Sequence, residues 1–395
     1  MKAGMNVKIE LTNNGIKRIR QGNPLIQIED LKQNIKKIPL EWVTFVDGND
    51  KYVASGYLGK QNKGMGWVLD RTQRPIDRAF FIEAFKQAIQ RRQAFFADGT
   101  TTAFRLFNGE GDGIGGLTID YYHDYLVLSW YNQTIYHFQQ EILDSLLVAF
   151  PTAKGVVEKI RFTSDLRESQ WLMGEKPQEP LLVLENGVSY AVYLDEGYMT
   201  GIFLDQKEVR GRLTEGLAAG KKVLNMFSYT GAFSVAAAYG GAVETTSVDL
   251  AQRSLPKTQE QFAVNGLPLE QQKIIVMDTF DYFRYAMRKN LRYDVIILDP
   301  PSFARNKKKT FSVAKDYGRL IEDSVEILSD EGMIIASTNA ANLSIKKFKQ
   351  AIEQALNNKQ ATYHLVESYR LPADFPASHF EESNYLKVLF YEIKK

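Results

Sequence analysis

From about residue 204 onward, short apolar runs recur with helix-length segments between them: KVLNMF, TTSVDL, KIIVMD, DVIILD and GMIIAST. A strand covered on one face alternates apolar with polar residues, whereas a near-continuous apolar run belongs to a strand covered on both faces. The repeated pattern therefore predicts a doubly wound α/β sheet, mostly parallel, with helices on each side. The intervening helices run into Gly240-Gly241 and Asn265-Gly266, pairs suited to C-terminal caps. The last apolar stretches, ATYHLVESYRL and YLKVLFYEI, leave no room for a capped crossover helix, so they are expected to pair antiparallel.

The preceding half reads differently. Residues 1 to about 70 alternate short apolar stretches (VKIEL, PLIQIED, WVTFVD, KYVASGYL) with Gly, Asn and Asp, the pattern of a small all-β module. Next, AFFIEAFKQAIQRRQAF spaces Phe81, Phe85 and Ile89 for one helical face and puts Arg91 and Arg92 near its C-terminal end, where cations suit the helix dipole. TAFRLFN, GLTIDYY, YLVLSWY, the helical YHFQQEILDSLLVAF, the strand GVVEKI and a hairpin turning at Asn186-Gly187 complete an α+β region. The expected division is thus 1–70, 71–195 and 196–395.

A formal net charge of +2 argues against a uniformly basic protein, but the first 40 residues hold eight Lys or Arg against Glu10, Glu29 and Asp30. Such a segment could dock a polyanion or could be an ordinary solvated surface. The chain contains no Cys, which excludes disulfides, thiolate metal sites and thiol catalysis at once. No apolar run approaches the roughly 18 to 20 residues of a membrane span, and the N-terminus lacks an apolar signal core, so a cytoplasmic location without membrane partners is expected. His123, His137, His364 and His379 have no metal-ligand spacing, and no metal is expected.

Gly111, Gly113 and Gly116 spell G-x-G-x-x-G, but LTIDYYHDYLVLSW after them is strand-like, which points to a glycine-rich hairpin turn rather than a dinucleotide loop. The better nucleotide loop is NMFSYTGAF, Asn225 to Phe233, where a buried strand passes directly into a helix. Gly231 with the small Ser228 and Thr230 would let backbone N–H groups approach a ligand there. Asp249, 18 positions beyond Gly231, ends the next strand where a carboxylate can take both ribose hydroxyls, and Asp278 ends the third, placed for an adenine amine. Each carboxylate could instead cap the helix that follows. A single Gly leaves no pyrophosphate cradle, so S-adenosylmethionine is expected rather than NAD.

The fourth strand closes in Asp299, Pro300, Pro301, Ser302 and Phe303. Two prolines stiffen the turn and hold the Pro300 carbonyl as an acceptor, Asp299 adds another, and Phe303 offers a ring on which an extruded base can stack. The same letters could be a plain strand-ending turn. Arg305, Lys307, Lys308 and Lys309 follow, suited to phosphates flanking a nucleobase or simply to solvent.

Taken together, NMFSYTGAF, TGIFLDQKEVR (Thr200 to Arg210), SVDL and LDPPSF resemble the large-subunit ribosomal RNA methyltransferase I family over essentially the whole chain. The resemblance implies a PUA domain that binds RNA over residues 1 to about 70, a middle α+β domain, and a Rossmann-like class I methyltransferase domain with a mostly parallel seven-stranded sheet. It also implies cofactor contacts at Phe227, Ser228, Tyr229, Gly231, Asp249 and Asp278, base binding by Asp299 and Pro300, 23S ribosomal RNA as partner, and a homodimer. The family's best-known reaction, methylation of cytosine carbon 5, uses a Cys after the fifth strand, and here Asn339 falls at that place in IASTNAANLS. Carbon 5 is a poor nucleophile until a thiolate adds at carbon 6, which an amide cannot do. A ring nitrogen needs only in-line placement of its own lone pair. The sequence therefore predicts direct N-methylation of an RNA base, guanine N7 first, with Asn339 orienting the base. Cytosine carbon 5, a protein amide or DNA substrate, and a non-catalytic ribosome-assembly factor are the alternatives.

Overall fold

The apolar runs of the C-terminal half form one seven-stranded sheet. The computed structural model describes residues 7–305 and 310–395, and the side chains of all of these except 303–305, 310 and 314. The strands are β1 (Lys222–Met226), β2 (Glu244–Asp249), β3 (Gln272–Val276), β4 (Tyr293–Leu298), β5 (Leu328–Thr338), β6 (Thr362–Tyr369) and β7 (Lys387–Lys394). Their order is β3-β2-β1-β4-β5-β7-β6, with β7 antiparallel to both neighbours and the remaining pairs parallel.

Side-chain alternation explains why the central strands β1 and β4 have two apolar faces. Leu224 and Met226 of β1 and Ile296 and Leu298 of β4 enter one core with Tyr282, Leu320, Phe348 and Ile352, while Val223, Val295 and Ile297 enter a second with Val209, Phe233 and Ala236. Helices therefore cover both faces: α1 (Ala232–Tyr239) and α2 (Ser254–Ala263) follow β1 and β2, and α3 (Thr279–Arg288), α4 (Val313–Ile327) and α5 (Ile345–Asn358) follow β3, β4 and β5. The chain order reverses between β1 and β4, which places the open crevice of the sheet at the carboxyl ends of those two strands.

Packing divides the chain into two compact units, and the division is not a cut at residue 195. One unit comprises 1–181, 193–200 and 373–383; the other comprises 182–192, 201–372 and 384–395. The hairpin Leu181–Glu185 and Val188–Val192 turns at Asn186-Gly187 with both residues at positive φ, 51° and 79°, as its letters predict. It nevertheless packs with the second unit instead of the middle region. Two side-chain amides of the second unit explain this: Gln261 exchanges both hydrogen bonds with the Ala191 backbone at 2.8 Å, and Asn265 does the same with Ser189 at 2.9 and 2.7 Å. They pair with the hairpin's backbone as a neighbouring strand would.

In the first unit, a five-stranded sheet contains Val7–Glu10, Val43–Val46, Tyr52–Gln61, Gly64–Asp70 and Leu25–Ile26 in that spatial order. It is not purely β, because Asn13–Arg20 is a helix capped by Thr12 and buried through Ile16 and Ile19. Its last turn carries Lys17, Arg18 and Arg20. Arg18 pairs with buried Asp30 at 2.9 and 3.0 Å, so part of the local positive charge is neutralised internally.

A second five-stranded sheet runs Ala103–Asn108, Leu117–Tyr122, Tyr125–Trp130, Gly155–Ile160 and Ser169–Gly174, covered by Arg78–Arg91 and Gln139–Ala149. Gly111, Gly113 and Gly116 lie in the link between its first two, antiparallel strands, as a hairpin-like turn with Gly113 and Gly116 at φ 98° and 86°. Arg92 is fully buried rather than capping a helix at the surface: it pairs with Asp112 at 2.6 Å and donates to the Asp374 carbonyl at 2.8 Å. Among the described residues no helix is long and apolar enough to cross a membrane.

Candidate functional site

Four strand ends bring the expected residues to one edge of the seven-stranded sheet: the loop after β1, Asp249 closing β2, Asp278 after β3 and Asp299 after β4. Asn339 follows β5 directly. Parallel strands make this inevitable, because every strand then ends on the same side.

The loop after β1 is strongly bent. Phe227, Tyr229 and Gly231 have φ of 59°, 52° and 78°, and only Gly231 adopts that region without strain. A Cβ at residue 231 would lie 2.5 Å from Thr258 Cγ2, so the position demands glycine for space as well as conformation. The amides of Ser228, Tyr229 and Gly231 are already bonded, to the Val248 carbonyl at 3.0 Å, Asp249 Oδ2 at 2.9 Å and the Ser228 carbonyl at 2.7 Å. The expected approach of free loop N–H groups to a ligand is thus corrected for these three residues. Thr230 is buried and donates its hydroxyl to the Gly201 carbonyl at 2.7 Å, fastening the loop to the segment before Arg210. Behind the loop, Asn225 donates to Ser234 at 3.0 Å and Ser234 meets Ser247 at 2.7 Å, a buried polar chain linking β1, α1 and β2.

Asp249 accepts from Tyr229 N–H on one oxygen and Ala251 N–H, at 2.8 Å, on the other. Each carboxylate oxygen has a further lone pair, and the group is half-buried, so it is held in one orientation with acceptor capacity left for two hydroxyls. Asp278 caps α3, accepting from Phe280 and Asp281 N–H at 3.0 and 3.3 Å. Capping and ligand binding can be separated by two substitutions. Asp278→Ala should lower stability by about 1 kcal/mol, whereas Asp278→Ser keeps a capping oxygen and melts near the wild type. Both should weaken S-adenosylmethionine binding roughly tenfold in isothermal titration; wild-type affinity in the Ser variant would reduce Asp278 to a cap.

Asp299 lies beside two residues that the sequence reading did not select. Gln206 Nε2 donates to Asp299 Oδ1 at 3.2 Å and to Ser337 Oγ at 2.8 Å, and the Ser337 hydroxyl also bonds the Asp299 carboxylate. Burial pushes the Asp299 carboxyl up to about 6; Asp205 adds to the rise, and Ser337, Arg210 and Gln206 oppose it. Pro300 is buried and Pro301 exposed. Tyr317, itself buried, donates to the Leu298 carbonyl at 3.2 Å and the Ser337 carbonyl at 2.9 Å, tying the ends of β4 and β5 together.

Ser302 donates to Asn339 Oδ1 at 2.6 Å, and among the described residues nothing takes up the Asn339 amide hydrogens. The turn carrying Asn339 is held by Thr338 Oγ1, which accepts from Ala340 N–H at 3.1 Å, and by buried Lys387, which donates to the Ala340 carbonyl at 2.9 Å. Phe303 and Arg305 are described only by backbone, pairing with Ser312 and Thr310. Lys307, Lys308 and Lys309 lie outside the described residues. No group of three His, Asp or Glu among the described residues is placed to hold a metal.

A nucleoside carrying an amino-acid side chain fits this edge: a pinned carboxylate for hydroxyls at Asp249, a loop pressed too tightly for a Cβ at Gly231, and a partly exposed ring pair, Phe203 and Tyr229, 5.4 Å apart beside it. The profile of S-adenosylmethionine-dependent methyltransferases matches residues 115–392, and that of a PUA-like domain matches residues 9–71. YwbD of Bacillus subtilis (strain 168) is 48% identical over 385 residues, 95% of this chain and 97% of that protein. The ribosomal RNA large subunit methyltransferase of Deinococcus radiodurans is 31% identical over 388 residues, 95% of this chain and 94% of that protein. The solved structure of SMU.776 complexed with SAH has a TM-score of 0.92 at 44% identity, covering 98% of this chain and 100% of that one.

Proposed function

The chain belongs to the S-adenosylmethionine-dependent methyltransferase family and carries a PUA-like domain, and on that premise we propose that it methylates a base of large-subunit (23S) ribosomal RNA directly on nitrogen, at guanine N7. The observation that carries the nitrogen assignment is the side chain beside the reactive turn. In a chain without Cys, the group after β5 is Asn339, its oxygen occupied by Ser302 and its N–H2 without a partner among the described residues. A donor can hold a base through a carbonyl but cannot add covalently to a ring carbon.

The cofactor supplies an electrophilic methyl group on a sulfonium. The chain's own residues supply placement: Asp249, Asp278 and the loop Phe227–Gly231 would hold the cofactor, while Asp299 and the Pro300 carbonyl would accept N–H groups of the base and Asn339 would donate to its carbonyl. When bound, the cofactor would offer its methyl carbon to the N7 lone pair, with the thioether sulfur as leaving group. No proton leaves the base at that step, so no general base is required. Ribosomal RNA is supported by the name of the Deinococcus relative and by the PUA-like domain. Arg305, Lys307, Lys308 and Lys309 would contact phosphates flanking the target.

Mass mapping of ribosomal RNA nucleosides from a strain lacking the gene tests the assignment. One 7-methylguanosine of 23S ribosomal RNA should disappear and return on complementation. Loss of a 5-methylcytidine would overturn the nitrogen assignment, and an unchanged profile would overturn the ribosomal substrate.

A further inference from the structure

Gln206 is 3% exposed, sits in the 3₁₀ turn Leu204–Gln206, and is the one side chain whose amide bridges Asp299 and Ser337 among the described residues. Its Oε1 is buried with no hydrogen-bond partner among the described residues. The surrounding segment is anchored out of proportion to its length. Buried Arg210 grips Glu185 at 2.6 and 2.8 Å and the Phe203 carbonyl at 2.7 Å, Asn186 donates to the Lys207 carbonyl at 2.9 Å, and Tyr385 donates to Asp205 at 2.9 Å. These bonds fix the backbone on both sides of Gln206.

We propose that Gln206 is a positioning residue for the methyl transfer: its amide, braced on Ser337, locks the Asp299 carboxylate in its accepting orientation for the base. This rests on the reading of Asp299 as the base acceptor. The charged and titratable groups facing Asp299 are Asp205 and Arg210 from the anchored segment and the Tyr317 phenol from α4; Gln206 and the Ser337 hydroxyl of β5 are its neutral donors. Burial and Asp205 oppose the charge, whereas the Ser337 hydroxyl, Arg210 and the Gln206 amide favour it.

Gln206→Leu keeps the volume and deletes the donor. Its effect should be pH-dependent: methylation of 23S ribosomal RNA from the deletion strain should fall at pH 6.5 and recover at pH 8.5, because the acid limb of the profile moves up. In the protein alone, the Asp299 carboxyl ¹³C resonance, assigned by its loss in Asp299→Asn, should titrate at correspondingly higher pH. Ser337→Ala should shift both readouts in the same direction and serves if Gln206→Leu does not fold. Equal losses at both pH values, or an Asp299 carboxyl that titrates as in the wild type, would overturn the proposal. Should the wild-type protein methylate no ribosomal RNA, the functional reading fails and the carboxyl titration alone decides the role of Gln206.

Discussion

Asp299→Asn is expected to remove methylation while making the protein more stable at neutral pH. The side chain is a carboxylic acid whose ordinary value of 3.8 is pushed up to about 6, mainly by burial. A carboxyl raised in the fold favours the folded state most fully below pH 3.8, and that contribution is lost as pH rises through 6. Above pH 6 the wild type therefore carries a cost on the order of 2 kcal/mol for holding a charge there. Asparagine has the same shape, can still accept from Gln206, and never ionises. Its stability advantage should be full at pH 7.5 and shrink towards nothing at pH 4, as thermal melts at the two values will show. Activity should move the opposite way, because the amide offers a donor where the base also presents N–H groups. A fall of roughly 10²- to 10³-fold in single-turnover methylation matches the removal of one preorganised hydrogen bond at a reacting centre. A variant that melts lower at pH 7.5, or one that methylates normally, would remove Asp299 from the acceptor role. Stability given up at a functional carboxylate is the trade expected of an active site.

The sheet was legible because its central strands are buried on both faces, so apolar runs such as DVIILD carry the signal without reference to the rest of the chain. Strand ends were legible for a related reason: a carboxylate directly after a buried parallel run falls at the carboxyl edge of the sheet whether or not it also caps the next helix, and Asp249, Asp278 and Asp299 do reach one edge. What escaped depends on contacts between residues far apart in sequence. The hairpin around Asn186 reads like any other hairpin, and only the amides of Gln261 and Asn265, more than 60 positions on, assign it to the second unit. Arg92 at a helix end looks like a dipole partner until Asp374, 282 positions later, closes over it. The helix Asn13–Arg20 rests on two buried isoleucines, too few to show a period, although Thr12 was a usable start signal. Gln206 lies inside the motif TGIFLDQKEVR, but its role is not readable there, because its partners Asp299 and Ser337 belong to the ends of two different strands.

Gly231→Ala tests the cofactor loop with the largest expected structural penalty, and its two components can be separated. At φ 78° an added Cβ costs about 1–2 kcal/mol in backbone strain, independent of what surrounds it. The same Cβ would lie 2.5 Å from Thr258 Cγ2 and 3.0 Å from Thr258 Oγ1, an overlap that α2 or the loop must relieve at about 1–3 kcal/mol. Thr258→Ala deletes both offending atoms and leaves the Thr258 Cβ, 3.2 Å away, as the nearest contact. The Thr258 hydroxyl is buried without a partner among the described residues, so its removal should cost little by itself. The double variant should therefore regain the steric part and keep the conformational part, a coupling of about 1–2 kcal/mol in denaturant unfolding. Cofactor affinity should follow the same cycle, since Gly231 ends the loop whose Tyr229 N–H pins Asp249. We expect Gly231→Ala to weaken S-adenosylmethionine binding at least tenfold and Thr258→Ala to restore part of it, both read by isothermal titration. Strict additivity of the two substitutions would mean that α2 does not press on the loop, and unchanged affinity in Gly231→Ala would place the cofactor elsewhere on the sheet.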